Sequence, residues 1–128
     1  GTPVMSALSG AVTATGDTDG GGCYSYGKWI LVKHNNGLST LYAHLSSIMV
    51  GAGQSVATRE IIGLSGYSGY ATGPHLHLSL IVSDGIQVKN LGDWYRESGK
   101  KATTACAQKG AIIPVAAPNA YLDPLEYL

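Results

Sequence analysis

The stretch KWILVKHNNGLSTLYAHLS, Lys28 to Ser46, decides the fold. Ile30, Val32 and His34 alternate with Trp29, Leu31 and Lys33, a period of two that belongs to a strand and not to a helix. Asn35-Asn36-Gly37 is a turn signal, because Asn and Gly accept the left-handed backbone that tight hairpins need. Beyond it, Leu38, Thr40, Tyr42 and His44 fall on one face of a second strand, and Ser39, Leu41, Ala43 and Leu45 on the other. The segment predicts a β-hairpin. Glycine-bounded segments continue the pattern on both sides: SGAVTATG (9–16) before it, then VATREIIGLSG (56–66), led in by the Gly51-Ala52-Gly53 turn. No helical period of useful length occurs before residue 90, so the fold class is all-β, an antiparallel sheet.

At 128 residues with 45% hydrophobic side chains, the chain suffices for one core, and residues 1–128 read as a single domain. Eight basic and eight acidic side chains cancel and form no basic run, which argues against nucleic acid or an anionic membrane as partner. Apolar runs of only a few residues exclude a helical membrane span, and the opening GTPVMSALSG has neither the basic nor the apolar region of a leader. Few charges, 18 glycines and eight tyrosines beside no phenylalanine suggest a loop-rich extracytoplasmic β protein. Cys23 and Cys106 belong to no metal-binding spacing and read as a disulfide, with two separate free thiols as the alternative. From Ser83 to Pro118 the pattern weakens, with a helical turn suggested around Asp93 to Ser98, and the stretch reads as a long loop insertion.

Within HLHLSLIV (75–82), strand alternation puts His75, His77, Ser79 and Ile81 on one face and Leu76, Leu78, Leu80 and Val82 on the other. Two imidazoles about 6.6 Å apart by strand rise suit one small object, such as a metal ion and its water. The plainer alternative is a pair of half-buried histidines bonded to neighbouring carbonyls. His44 adds a third imidazole on a strand, and neutral imidazoles are common zinc ligands.

Taken together, GTPVMSALSGAVTATG, ILVKHNNGLSTLYAHLSSIMVGAGQSVATREIIGLSGYSGYATGPHLHLSL and the closing YLDPLEYL resemble the lysostaphin-type (M23) zinc metallopeptidases of bacterial cell walls. The resemblance implies a twisted antiparallel sheet of lysostaphin-like type, with long loops around a groove. It also implies zinc as cofactor, and as substrate the stem or bridge peptides of peptidoglycan, cut outside the cytoplasm. Carried over residue by residue, it makes His77 a zinc ligand and His44 and His75 the catalytic imidazoles beside the metal. Tyr67 and Tyr70, on the glycine loop between the motifs, are candidates to stack on an extended peptide.

One departure accompanies the match. The family's other two zinc ligands lie in an HxxxD motif ahead of the GTPV segment, with which this sequence starts, so the expectation is an N-terminally incomplete domain whose zinc is weak or absent. Asp17 and Asp19 read as loop-capping carboxylates and His34 as a hydrogen-bonded strand histidine, and none of them as replacement ligands. Asp123-Pro124 reads as a structural turn, and Glu60 and Glu97 have no motif context. The alternative function is a catalytically silent peptidoglycan-binding or amidase-activating domain of the same fold. A carrier-like β domain would leave the three histidines without a role.

Overall fold

The hairpin read from Lys28 to Ser46 lies at the centre of the sheet. A computed structural model describes residues 1–19, 25–68, 73, 75–90, 93, 96–97, 99 and 111–127. Its strands are β1 (Pro3–Met5), β2 (Gly10–Asp17), β3 (Lys28–His34), β4 (Leu38–Ile48), β5 (Ser55–Val56), β6 (Ile61–Ser65), β7 (His77–Val82), β8 (Gln87–Asn90), β9 (Ile112–Val115) and β10 (Tyr121–Leu122). The main antiparallel sheet runs β1-β6-β4-β3-β2-β5, with β7 also on β4 and β10 on the far edge of β7. β8 and β9 form a separate antiparallel pair.

β4 organises this sheet because one of its edges serves two partners. Leu38 to Ala43 pair with Val82 to His77 of β7, whereas Leu45 to Ile48 pair with Ser65 to Gly63 of β6. The sheet forks between Ala43 and Leu45, at His44.

Apolar side chains cover both faces, which is why WILV and LYA read as nearly continuous hydrophobic runs. One cluster holds Val4, Val12, Ile30, Val32, Tyr42, Leu45, Val56 and Ile62. The other holds Trp29, Leu31, Leu41, Ala43, Ile81 and Ala120, with Tyr26, Ile86 and Ala116 packed against it. Leu76, on the same face as Leu78 and Leu80 by alternation, is exposed, since regular pairing begins only at His77.

A polar chain runs through the first cluster. The buried His34 donates from Nδ1 to the Ser9 carbonyl (2.9 Å), and its Nε2 lies 2.9 Å from Thr40 Oγ1. Thr40 Oγ1 lies 2.9 Å from the Tyr42 hydroxyl, which accepts the Ala7 N–H (2.8 Å). His34 is thus a hydrogen-bonded strand histidine, as its sequence context indicates. Satisfying every member is what makes such a buried chain tolerable.

Residues 83–118 hold more regular structure than their pattern suggests. A 3₁₀ turn at Ser83–Gly85 leads into β8, β9 pairs back on it, and a second 3₁₀ turn at Pro118–Ala120 delivers Ala120 to the second cluster. The β8–β9 pairing is non-local and leaves no periodic signal. Asp93, Arg96 and Glu97 are helical, as suggested for that stretch, while positions 94, 95 and 98, and both Cys23 and Cys106, lie outside the described residues.

Candidate functional site

At the fork the backbone of β4 makes room for one extra residue. Ile30 pairs with Tyr42 and Lys28 with Leu45, so Ala43 and His44 together face Trp29 alone, a β-bulge. His44 takes φ +59°, a left-handed conformation uncommon outside glycine. Its N–H leaves the ladder and bonds the Tyr26 carbonyl at 2.8 Å. This corrects the strand-face reading. Leu45, not His44, rejoins Tyr42 in the first cluster, and the His44 ring turns to β7, whose His77 pairs with Ala43. A period-two pattern has no way to mark such an inserted residue.

Three histidines converge there. His75 bridges Gly66, across the mouth of the fork from β7 to the end of β6. Ring centroids of His44 lie 5.0 Å from those of His75 and 5.6 Å from those of His77. His44 is buried, His77 half-buried and His75 exposed, so the cluster reaches from the sheet interior to solvent.

Carbonyl partners settle two tautomers. His44 Nδ1 lies 2.7 Å from the Ser68 carbonyl and His75 Nδ1 lies 2.8 Å from the Gly73 carbonyl. A carbonyl only accepts, so each Nδ1 carries the hydrogen, and each neutral ring keeps its lone pair on Nε2. His77 differs: its Nε2 lies 2.9 Å from Ser79 Oγ, and its Nδ1 makes no hydrogen bond to a described residue. Burial above all, then the neighbouring His44 and His75, hold the His77 imidazole below its ordinary pKa, favouring the neutral, ligand-competent ring.

Residues not singled out from the sequence support the three rings. The Ser68 hydroxyl accepts the Lys28 N–H (3.0 Å) and donates to the Leu45 carbonyl, tying its loop to β3 and β4 on either side of His44. Tyr26 stands edge-on to His77, centroids 5.9 Å apart at 74°. Burial, then the Tyr121 hydroxyl beside it, pushes the Tyr26 phenol up to about 12. Alternation already puts Ser79 on the face of His77, without a role; Tyr26 and Ser68 come from loops and carry no local signal.

Of the remaining predicted residues, Tyr67 is exposed on the loop after β6, and Tyr70 lies outside the described residues. Asp17 accepts the Asp19 N–H (3.0 Å) and pairs with Lys28 at 3.4 Å. Asp123 accepts the Leu125 N–H at 2.9 Å, a structural turn.

Comparison with known proteins places this geometry. The family model for peptidase family M23 matches residues 1–90. The chain is 44% identical over 83 residues to the peptidoglycan DD-endopeptidase ShyA of Vibrio cholerae, covering 64% of this chain and 18% of that protein. Its fold matches the structure of the antimicrobial peptidase lysostaphin from Staphylococcus simulans with a TM-score of 0.67 and 27% identity, covering all of this chain and 39% of the other. A zinc-containing peptidase from Vibrio cholerae matches with a TM-score of 0.59 and 36% identity over 66% of this chain and 24% of the other. The chain thus spans less than a fifth of the length of the curated relatives it matches. The all-β sheet is lysostaphin-like, the matched segment carries all three clustered histidines, and the chain belongs to peptidase family M23.

Proposed function

We propose that this domain is a zinc-dependent endopeptidase domain that hydrolyses peptide cross-links of bacterial peptidoglycan outside the cytoplasm. The observation that carries the reading is the convergence of His44, His75 and His77 at the fork of the sheet. Two of these rings present Nε2 lone pairs, the form that accepts a proton. One takes the proton of the attacking water. Once charged, it returns that proton to the departing amine, while the other, entering the step as imidazolium, donates its Nε2–H to the tetrahedral oxyanion. Tyr67, exposed on the loop after β6, and Tyr70 are assigned to stack on an extended peptide.

The family implies zinc, and the donors present decide how far it fits. His77 suits a ligand, with Nδ1 open and Nε2 oriented by Ser79. Among the described residues, however, no three His, Cys, Asp or Glu side chains are placed to hold an ion together. Zinc, when bound, supplies a Lewis acid that lowers the pKa of water to about 7. The present residues contribute one ligand and two proton-handling rings, and the remaining ligands are assigned to an HxxxD segment preceding GTPV. The amino group of Gly1 donates to the Ser65 carbonyl (2.9 Å), one residue from the Gly66 that bridges His75, so residues ahead of Gly1 would emerge beside the cluster.

The test compares zinc content and dye release from labelled cell walls in a chain carrying that HxxxD segment. His77→Ala should lose both zinc and activity. His44→Ala and His75→Ala should keep zinc and lose about 10²–10⁴-fold in rate. Calorimetry on the 128-residue chain should show zinc binding no tighter than about micromolar, because three protein ligands are the norm for a catalytic zinc. Nanomolar binding would reveal a ligand set not recognised among these residues. That no three donors group together among the described residues also suits a second reading, a silent wall-binding or amidase-activating domain. Wall binding without cleavage by the HxxxD-bearing chain would establish it.

A further inference from the structure

We propose that Tyr26 is a positioning residue for the histidine cluster and that Tyr121, from β10, holds it in place. Tyr26 touches two of the three histidines in different ways. Its carbonyl accepts the His44 N–H at 2.8 Å, the bond that stabilises the left-handed turn at the bulge. Its ring edge meets the His77 ring at 5.9 Å between centroids. One residue therefore sets the backbone of one imidazole and the ring plane of another, and displacing it shifts both.

Tyr26 in turn is held from two sides. Thr18 Oγ1 accepts the Gly27 N–H (2.9 Å) and the Thr18 N–H bonds the Gly27 carbonyl (3.0 Å), closing the loop directly after Tyr26. On the other side its ring packs against the cluster that contains Ala120, and its hydroxyl stands beside Tyr121. Tyr121 pairs with Ile81 on the strand of His77. β10 lies beyond the residues 1–90 matched by the family model, so a segment outside that match reaches the histidines through the Tyr121–Tyr26 contact. The functional meaning rests on the histidines being the working groups, as proposed above; the contacts themselves do not.

The experiment follows imidazole resonances of the 128-residue chain by long-range proton–nitrogen NMR. His34 serves as internal reference, because its partners Ser9 and Thr40 are not shared with the cluster. Tyr26→Phe and Tyr121→Phe each remove the same hydroxyl contact and keep the ring. Each should shift His77 alike, and the double variant should shift it no further than either alone. Tyr26→Leu, which removes the ring, should shift His77 further still and move His44 as well, with His34 unchanged. Additive shifts in the double variant would remove Tyr121 from the proposal. His77 unmoved in Tyr26→Leu, or His34 displaced as far as His77, would overturn the positioning role. Failure of zinc-dependent wall cleavage would strike the functional reading and leave these shifts as they are.

Discussion

His44 occupies a backbone state that few side chains choose, and that governs how its substitutions behave. A left-handed residue costs roughly 1–2 kcal/mol unless it is glycine. At this position His44→Gly should therefore be more stable than His44→Ala by about 1 kcal/mol, the reverse of the order in an ordinary strand. Urea unfolding of the two variants measures it. Tyr42→Phe removes the hydroxyl that joins Ala7 N–H to Thr40 inside the first cluster, and should cost about 1–3 kcal/mol in the same assay. The His77 ring, held below its ordinary pKa, gives a pH signature of definite sign. Because the unfolded chain takes up a proton there before the folded one does, stability falls as the pH drops below the ordinary imidazole value of 6.5. Urea midpoints of the wild type and His77→Gln should diverge in that acid window, the wild type losing more; parallel curves would show that His77 does not titrate differently on folding.

Among the elements, the loop from Gly66 to His75 joins the two arms of the fork. A Cβ added at Gly66 would lie 2.7 Å from the Ser46 backbone nitrogen, which cannot retreat without moving β4, whereas one at Gly73 would meet no described residue within 4 Å. Gly66→Ala should cost about 1–3 kcal/mol and displace the His75 resonances, and Gly73→Ala should do neither. These elements also show what was legible in advance. The β3–β4 hairpin was readable because alternation and an Asn-Asn-Gly turn are local signals, and His34 was readable because a strand histidine beside a turn has carbonyl partners at hand. The face of His44 was misread because an inserted residue breaks a period only where the partner strand is known. Tyr26, Ser68 and the β8–β9 pair act through contacts between residues distant in sequence, which no window along the chain displays. The three histidines were found by resemblance and by residue type, and their tautomers needed the carbonyls of Ser68 and Gly73.

For the whole molecule, the question is how the segment after β7 relates to the sheet. Asn90 and Ile112 pair directly, so replacing residues 91–111 by a two-residue Asn-Gly turn should leave a folded domain with its main sheet intact. Amide exchange in β3 and β4 is the measure, and loss of protection there would make the excised stretch part of the fold. The same excision removes Cys106. In the intact chain, a Cys23–Cys106 disulfide predicts a mass two hydrogens lower before reduction than after it, and two alkylatable thiols in the unreduced folded protein would rule it out. The clasp at Ser68 has a consequence for how such a domain diversifies. Ser68 fastens the start of its loop to Lys28, Leu45 and His44, and His75 fastens the end to Gly66. Both ends of the loop are thus held by contacts that do not involve positions 69–72. A randomised library confined to those positions should leave the main sheet folded and the His44, His75 and His77 resonances in place.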